Sequence, residues 1–229
     1  MRHGIHLVCL AFVSGLLSTS AITSASAFDD FSAETDWQGA YAGILAGYAQ
    51  GISRNAWTSP PDYPGWRTDG DIAPGGAFGG VLAGYQIQHG GLVWGAEGDA
   101  SLAHLYGDDA QVAGAINRIT IGGLGTLRAR IGIVHDNLMI FGTGGLAVAS
   151  FLKDDPDTWP ATPQLALGWA AGAGVEYALD DAWRVRAEYL HVGLGEVTTE
   201  LAPPSGIGYV HRTDGTSIHM LRAGVSRGF

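Results

Sequence analysis

The chain has 229 residues and a formal net charge of −10, and this acidic balance argues against a nucleic-acid-binding protein, which needs a basic face. Cys9 is the single cysteine, so the sequence predicts neither a disulfide-stapled domain nor a cysteine-based metal site. Glycine is abundant, with 36 residues, which argues against a largely helical chain because each glycine weakens a helix by up to about 1 kcal/mol relative to alanine.

The first residues have the features of an export signal. Arg2 gives a basic start, residues 5–17 are apolar, and Ala25-Ser26-Ala27 is a small-residue cleavage site. The alternative is an N-terminal membrane helix, but this apolar run is too short to cross about 30 Å of hydrocarbon. We therefore expect a signal peptide over residues 1–27, an N-terminal tail over 28–36 and one folded domain over 37–229.

After the expected signal, apolar and polar residues alternate with a period of two. No uncharged apolar run reaches the roughly 18 residues of a membrane helix. The alternation is clearest in residues 119–133, where one face is wholly apolar and the other carries Arg128 and Arg130. In chain order, the pattern predicts eight strands: 37–50, 76–89, 91–103, 117–134, 138–151, 165–179, 183–194 and 216–229.

The connections between these strands alternate in length. Long loops are expected at 51–75, 104–116, 152–164 and 195–215, and tight turns at Gly90, His135-Asp136-Asn137 and Asp180-Asp181-Ala182. Short turns at one end and long loops at the other are typical of outer-membrane barrels, in which the apolar face meets lipid and the charged face lines the interior. We therefore predict an all-β fold, an eight-stranded antiparallel up-and-down transmembrane β-barrel.

Aromatic residues support this orientation of the faces. Six of them lie at the turn end of the strands, on the apolar face, and predict a girdle at one membrane interface: Trp37, Tyr85, Trp94, Tyr177, Trp183 and Phe229. A second girdle is expected at the other end, formed by Tyr48, Phe151, Trp169 and Tyr189. The alternative is a soluble lipocalin-like barrel in which these aromatic residues belong to the core.

Glycine-rich motifs follow one another along the whole domain: Trp37-x-Gly39-x-Tyr41-x-Gly43, Gly80-x-x-x-Gly84-Tyr85, Gly95-x-Glu97-Gly98-Asp99, Arg128-x-Arg130-x-Gly132, Gly144-Gly145-x-Ala147, Gly172-x-Gly174-x-Glu176-Tyr177, Ala187-Glu188-Tyr189 and Arg222-x-Gly224 with the terminal Phe229. This series resembles the small outer-membrane β-barrel family ("porin family") of Gram-negative bacteria. The resemblance implies residence in the cell outer membrane and recognition of the C-terminal strand by the barrel-assembly machinery. Arg227 departs from the aromatic residue that the family often has there.

Charged residues on the predicted interior face suggest a network of ion pairs. Five arginines and four carboxylates belong to it: Glu97, Asp99, Arg128, Arg130, Glu176, Arg184, Arg186, Glu188 and Arg222. An eight-stranded barrel is only wide enough to be filled by side chains, and an unpaired buried charge is costly. The set therefore predicts a structural network that closes the lumen, with a narrow ion path as the alternative.

Other candidate sites have weaker support. Glu97 and Asp99 share a face, but nearby arginines would keep both ionised, which is unsuitable for a general acid. Residues 142–147 fit a loose dinucleotide-binding pattern without its strand–turn–helix context. His191 with Ser150 has no spacing that supports a lipid hydrolase. The six histidines of the domain show no metal-ligand spacing.

The sequence thus predicts a non-enzymatic integral outer-membrane protein with a structural or surface-exposed role, at most a weak pore, that uses no cofactor or metal. Its expected partners are outer-membrane lipid and lipopolysaccharide. The alternative is a surface protein that binds haem or a host component through its long extracellular loops, where His104, His211 and the proline- and tryptophan-rich segment 57–66 lie.

Overall fold

A computed structural model describes residues 35–59, 63–108, 118–155, 159–201 and 209–229. They form one antiparallel sheet of ten strands: β1 (Gly39–Ser59), β2 (Tyr63–Ile72), β3 (Gly75–His89), β4 (Leu92–Asp108), β5 (Arg118–His135), β6 (Leu138–Asp155), β7 (Trp159–Ala178), β8 (Trp183–Leu194), β9 (Val197–Leu201) and β10 (Tyr209–Gly228). The expected signal peptide and most of the expected tail lie outside the described residues.

Eight of these strands form a closed barrel. β1, β3, β4, β5, β6, β7, β8 and β10 pair in that order, and β10 closes on β1 in a register that runs from Tyr41 opposite Gly228 to Thr58 opposite Val210. The two remaining strands, β2 and β9, pair with the outer ends of β1 and β10. The predicted eight-stranded antiparallel barrel is confirmed. Within the described residues, no helix is long and apolar enough to cross a membrane.

Several strands are longer than the sequence predicted. β1 has 21 residues and β7 and β10 have 20 each, whereas a tilted strand needs only about 9–11 residues to cross a bilayer. Much of the region expected to be the first and fourth long loops is therefore paired strand that continues beyond the membrane. The turns at the opposite end are short as predicted, with positive φ values of 56° at Gly90 and 52° at Asp136.

Side-chain alternation follows the predicted faces in most of the barrel. On β4, Trp94 and Leu102 are exposed whereas Glu97 and Asp99 are buried, and on β7 Val175 is exposed. Because the protein fills its own lumen, exposed residues on these strands face the outside of the barrel. The apolar outer face that the sequence predicted is therefore present on these strands.

A bulge reverses this alternation on β5. The register against β6 shifts between Ile121 and Gly123, so Gly122 has no partner on β6. As a consequence, Ile119 and Ile121 are buried in the interior, whereas Leu127 faces outward. The prediction that one uninterrupted apolar face runs over 119–133 is wrong, because a single extra residue moves every side chain beyond it to the opposite face.

Candidate functional site: the barrel lumen

The lumen is filled in three layers along the barrel axis. The middle layer contains buried charges, and apolar side chains lie on both sides of it. Strand direction orders the layers: along β8, Arg186 and Glu188 of the charged layer are followed by Leu190 and Val192 of the apolar layer nearer the long loops. This inward face results from the period of two, which brings alternate residues of every strand to the axis.

Arg128 on β5 is the centre of the charged layer. Its Nη2 lies 2.6 Å from Glu97 Oε1 and 3.0 Å from Asp99 Oδ2, and its Nη1 lies 2.6 Å from Glu188 Oε1. The same guanidinium donates to the hydroxyl groups of Thr126 and Thr143, at 2.9 and 2.8 Å. One arginine therefore connects three carboxylates from β4 and β8 across the width of the lumen.

Two further arginines bind the neighbouring pair of carboxylates. Arg130 Nη2 and Arg186 Nη2 lie 2.6 and 3.1 Å from Glu176 Oε2, and Arg186 Nη1 lies 2.5 Å from Glu97 Oε2. The hydroxyl of Tyr41 on β1 donates to Glu97 Oε2 at 2.8 Å and accepts from Arg130 at 3.1 Å. These bonds join β1, β4, β5, β7 and β8 in one buried network.

Arg222 on β10 completes the network from the closing strand. Its Nη2 lies 2.8 Å from Glu188 Oε2 and its Nη1 lies 3.1 Å from Asp99 Oδ2. The ion pairs thus involve four carboxylates, Glu97, Asp99, Glu176 and Glu188, and four arginines, Arg128, Arg130, Arg186 and Arg222. Equal numbers of opposite charges make this layer electrically neutral, as a low-dielectric interior requires.

Arg184, the ninth predicted member, is buried but lies outside this network. Its described contacts are a hydrogen bond of 3.2 Å to the carbonyl oxygen of Asp36 and a cation–π contact of 4.8 Å with the ring of Trp37. Its assignment to the ion pairs is therefore wrong. Arg184 is the first inward residue of β8, close to the turn end, and it contacts the chain segment that crosses there.

Trp37 also departs from the prediction, because it is fully buried and not part of the outer girdle. β1 begins only at Gly39, whose φ of 120° turns the preceding residues under the barrel. The Trp37 backbone nitrogen donates to Gln88 Oε1 at 2.7 Å, and its carbonyl accepts from Gln86 Nε2 at 2.6 Å. The indole thus closes the turn end of the lumen, in an apolar cluster with Val93, Val134, Met139, Phe141 and Ala178.

The layer nearer the long loops was not predicted. It contains large apolar side chains from six of the eight barrel strands, β1, β3, β4, β5, β8 and β10, among them Leu45, Phe78, Leu82, Leu105, Ile119, Ile121, Leu124, Leu190, Val192, Ile218 and Met220. Small residues make room between them, since Ala147, Ala149, Ala166 and Ala170 belong to the same cluster. Close-packed apolar layers of this kind exclude water and ions, so the charged layer is enclosed on both sides.

The remaining predicted girdle residues do lie on the outer surface. Tyr85, Trp94, Tyr177, Trp183 and Phe229 are all exposed, at the strand ends next to the short turns. In the second expected girdle, Tyr48, Trp169 and Tyr189 are exposed, but Phe151 packs against the interior apolar cluster. Phe151 has the same parity on β6 as the buried residues Ala147 and Ala149, and its assignment to the outer girdle is wrong.

The lumen contains no arrangement of catalytic groups among the described side chains. Glu97 and Asp99 are both bound by arginines, and residues 142–147 lie within β6. No group of three or more metal-ligating side chains occurs in the described part of the chain. His104 is exposed on β4, while the side chains of His211 and of residues 57–66 lie outside the described ones.

A closed barrel with an apolar outer face, an aromatic girdle and a lumen filled by its own side chains defines the class of outer-membrane β-barrel proteins. The chain belongs to the outer membrane protein beta-barrel domain family, whose model matches residues 14–229. Membership in this family and the relatives described next place the protein in the outer membrane, as predicted.

Two similar proteins come from Brucella. The chain is 34% identical over 211 residues to a 31 kDa outer-membrane immunogenic protein of Brucella melitensis, covering 82% of this chain and 87% of that protein. It is 30% identical to a 25 kDa outer-membrane immunogenic protein of Brucella abortus, covering 72% and 70% of the two chains. The crystal structure of the outer membrane protein OprG from Pseudomonas aeruginosa has the same fold, with a TM-score of 0.59 at 15% identity over 84% of this chain and 97% of that one.

Proposed function

We propose that the protein is a closed, non-enzymatic outer-membrane barrel whose role is structural and surface-exposed. The observation that supports this proposal is the layered lumen. An ion that entered from the outside would have to cross the apolar layer around Leu45 and Ile121 and then a layer in which every charge is already paired. Transfer of an ion into such surroundings costs many kcal/mol.

The surface-exposed part of the role rests on the outer ends of the strands. β1 and β10 continue well beyond the length that a bilayer requires, and β2 and β9 extend the same sheet. A paired sheet at this position offers a regular surface to the outside of the cell. The names of the Brucella relatives describe those proteins as immunogenic, which accords with a surface-exposed role here.

Bilayer recordings test the closed lumen. We expect the purified protein to show no steady conductance in planar bilayers under conditions in which a 16-stranded porin, added as a positive control, conducts. Truncating two large apolar side chains together, Phe78→Ala with Leu190→Ala, should open the apolar layer to water and raise the frequency of brief openings. A large and stable conductance from the unaltered protein would refute the closed-barrel proposal.

The proposed partner during assembly is the barrel-assembly machinery, acting on β10. Phe229 is exposed beside the closing seam, and its backbone nitrogen donates to the Ala40 carbonyl at 2.9 Å. Deleting Phe229 should lower the amount of folded protein in the outer membrane several-fold, while Phe229→Tyr should not, because the aromatic ring at the interface is retained. Unchanged outer-membrane levels of the truncated chain would show that this residue does not contribute to recognition.

A second candidate function is ligand binding at the outer rim, favoured by the continuation of the strands beyond the membrane. Haem or a component of a host is the ligand class that the sequence suggested. A titration of the refolded protein with haemin should then produce a saturable Soret shift that His104→Ala weakens. A titration without saturation would exclude haem and retain the structural role.

A further inference from the structure

Four polar aromatic side chains form a continuous cluster on the outer surface of β7, β8 and β10. The Tyr189 hydroxyl lies 2.6 Å from His219 Nδ1, the rings of His191 and His219 are 4.7 Å apart, and Trp169 lies 5.1 Å from His191. Trp169 covers Gly193, where a Cβ would come within 2.7 Å of the indole nitrogen. The glycine therefore allows the indole to lie flat against β8, next to the histidine pair.

The cluster lies at the membrane interface opposite the periplasmic turns. His191 is eight residues along β8 from Trp183, and His219 is ten residues along β10 from Phe229, and both of these aromatic residues lie in the turn-end girdle. With a rise of about 3.3 Å per residue and a strand tilt of about 40°, these spacings correspond to about 20–25 Å along the membrane normal. The apolar band of such barrels is about 25 Å tall, so the two imidazoles are at the depth of the outer-leaflet headgroups.

An open groove of about 560 Å³ begins at the same cluster and runs toward the membrane centre. Its outward-facing walls come from Ala46, Val175, Ala187, Tyr189, Leu221 and Ala223. In the sheet register Ala46 is paired with Ala223, and Ala223 with Ala187, so small side chains from β1, β10 and β8 form its floor. Tyr189 belongs to both features: its ring is a wall of the groove, and its hydroxyl contacts His219.

We propose that this surface binds one phosphorylated lipid of the outer leaflet, with the phosphate at His191 and His219 and an acyl chain in the alanine-lined groove. The membrane residence of the protein supplies such lipids, and the groove is too apolar for a soluble anion. The proposal concerns the outer surface of the barrel and is independent of whether the lumen conducts.

The imidazoles have suitable donors for a phosphate. When the Tyr189 hydroxyl donates to His219 Nδ1, the neutral ring carries its proton on Nε2, which leaves that N–H as a donor. When the Ser217 hydroxyl donates to His191 Nε2, 3.5 Å away, the neutral His191 ring carries its proton on Nδ1, and that N–H is the second donor. The cross-strand neighbours of the pair, Gln50 and Ala171, are uncharged, so they do not repel an anion.

Native mass spectrometry of the refolded protein, released from detergent micelles, tests the site. We expect the affinity for phosphatidic acid to exceed that for a diacylglycerol with the same acyl chains by at least about tenfold. Hydrogen bonds to a charged group raise an affinity by about this factor. The double variant His191→Ala with His219→Ala should lower phosphatidic acid binding to the diacylglycerol level. A matched control, His89→Ala with His135→Ala, removes two exposed histidines at the periplasmic turns and should leave binding unchanged.

Two single variants distinguish the contribution of the lipid phosphate from that of the acyl chain. Tyr189→Phe keeps the groove wall and should weaken phosphatidic acid binding alone, whereas Ala223→Phe fills the groove and should weaken both lipids. Each variant is first checked for folding by the difference in gel migration between heated and unheated samples. Equal binding of the two lipids, or binding that the histidine variants leave intact, would overturn the proposal. Displacement of phosphatidic acid by millimolar inorganic phosphate would also overturn it, because the acyl chain would then contribute nothing.

Discussion

Replacing Arg128 with methionine should destabilise the barrel by about 3–5 kcal/mol, the usual effect of removing one partner from a buried ion pair. Methionine retains the unbranched inner part of the side chain but has no guanidinium, so Glu97, Asp99 and Glu188 lose their shared cation and the buried layer gains a net negative charge. The change would be measured as the shift in the urea unfolding midpoint in lipid vesicles, followed by tryptophan fluorescence.

The control for this experiment is Arg227→Met, which removes an exposed arginine from β10. It should change the free energy of unfolding by less than about 1 kcal/mol. Adding Glu188→Gln to the Arg128 variant restores neutrality, so the double variant should be more stable than the sum of the two single effects implies. Strict additivity of the two substitutions would mean that the carboxylate and the guanidinium do not stabilise each other.

Leu127→Arg should lower the folding yield in vesicles, with a cost of about 2–4 kcal/mol for an arginine on the lipid face near the bilayer centre. Leu127 is 63% exposed on β5 and lies six residues from Ile133 at the turn end, which is close to the middle of the apolar band. Folding yield would be read from gel migration of unheated samples after dilution from urea into vesicles.

His104→Arg provides the matched comparison, because His104 is also exposed but lies ten residues along β4 from the girdle residue Trp94. An arginine there reaches the hydrated headgroup region and should leave the folding yield nearly unchanged. If the two arginine variants folded equally well, the assignment of the outer face of β5 to lipid would be wrong.

The sequence was informative where the alternation of a strand is uninterrupted. On β4 and β7 the parity of Glu97, Asp99 and Glu176 places them in the lumen, and all three are buried there. The requirement that buried charges be paired then leads to the network before any distance is known. The identity of the partners did not follow from parity, because it depends on the stagger between strands that are distant in the chain.

Two of the wrong predictions have a local cause in the chain. The pair Gly122-Gly123 within β5 was the only sign of the bulge that turns Ile119 and Ile121 inward, and glycine inside a strand does suggest a bulge. Trp37 was assigned to a strand that in fact begins two residues later. Its inward position, and with it the contact with Arg184, depends on that boundary, which sequence patterns locate only to within a few residues.

The equality of charge in the middle layer also bears on how the protein responds to an electric field. A voltage sensor works because a net charge moves through the field, at about 2.3 kcal/mol per elementary charge and 100 mV. Here the four arginines and four carboxylates are bonded to one another and sum to zero, so a joint displacement of the layer performs no electrical work. A potential across the outer membrane therefore does no net work on this layer, and among the buried lumen charges described above only Arg184, which lies outside the layer, would respond to it.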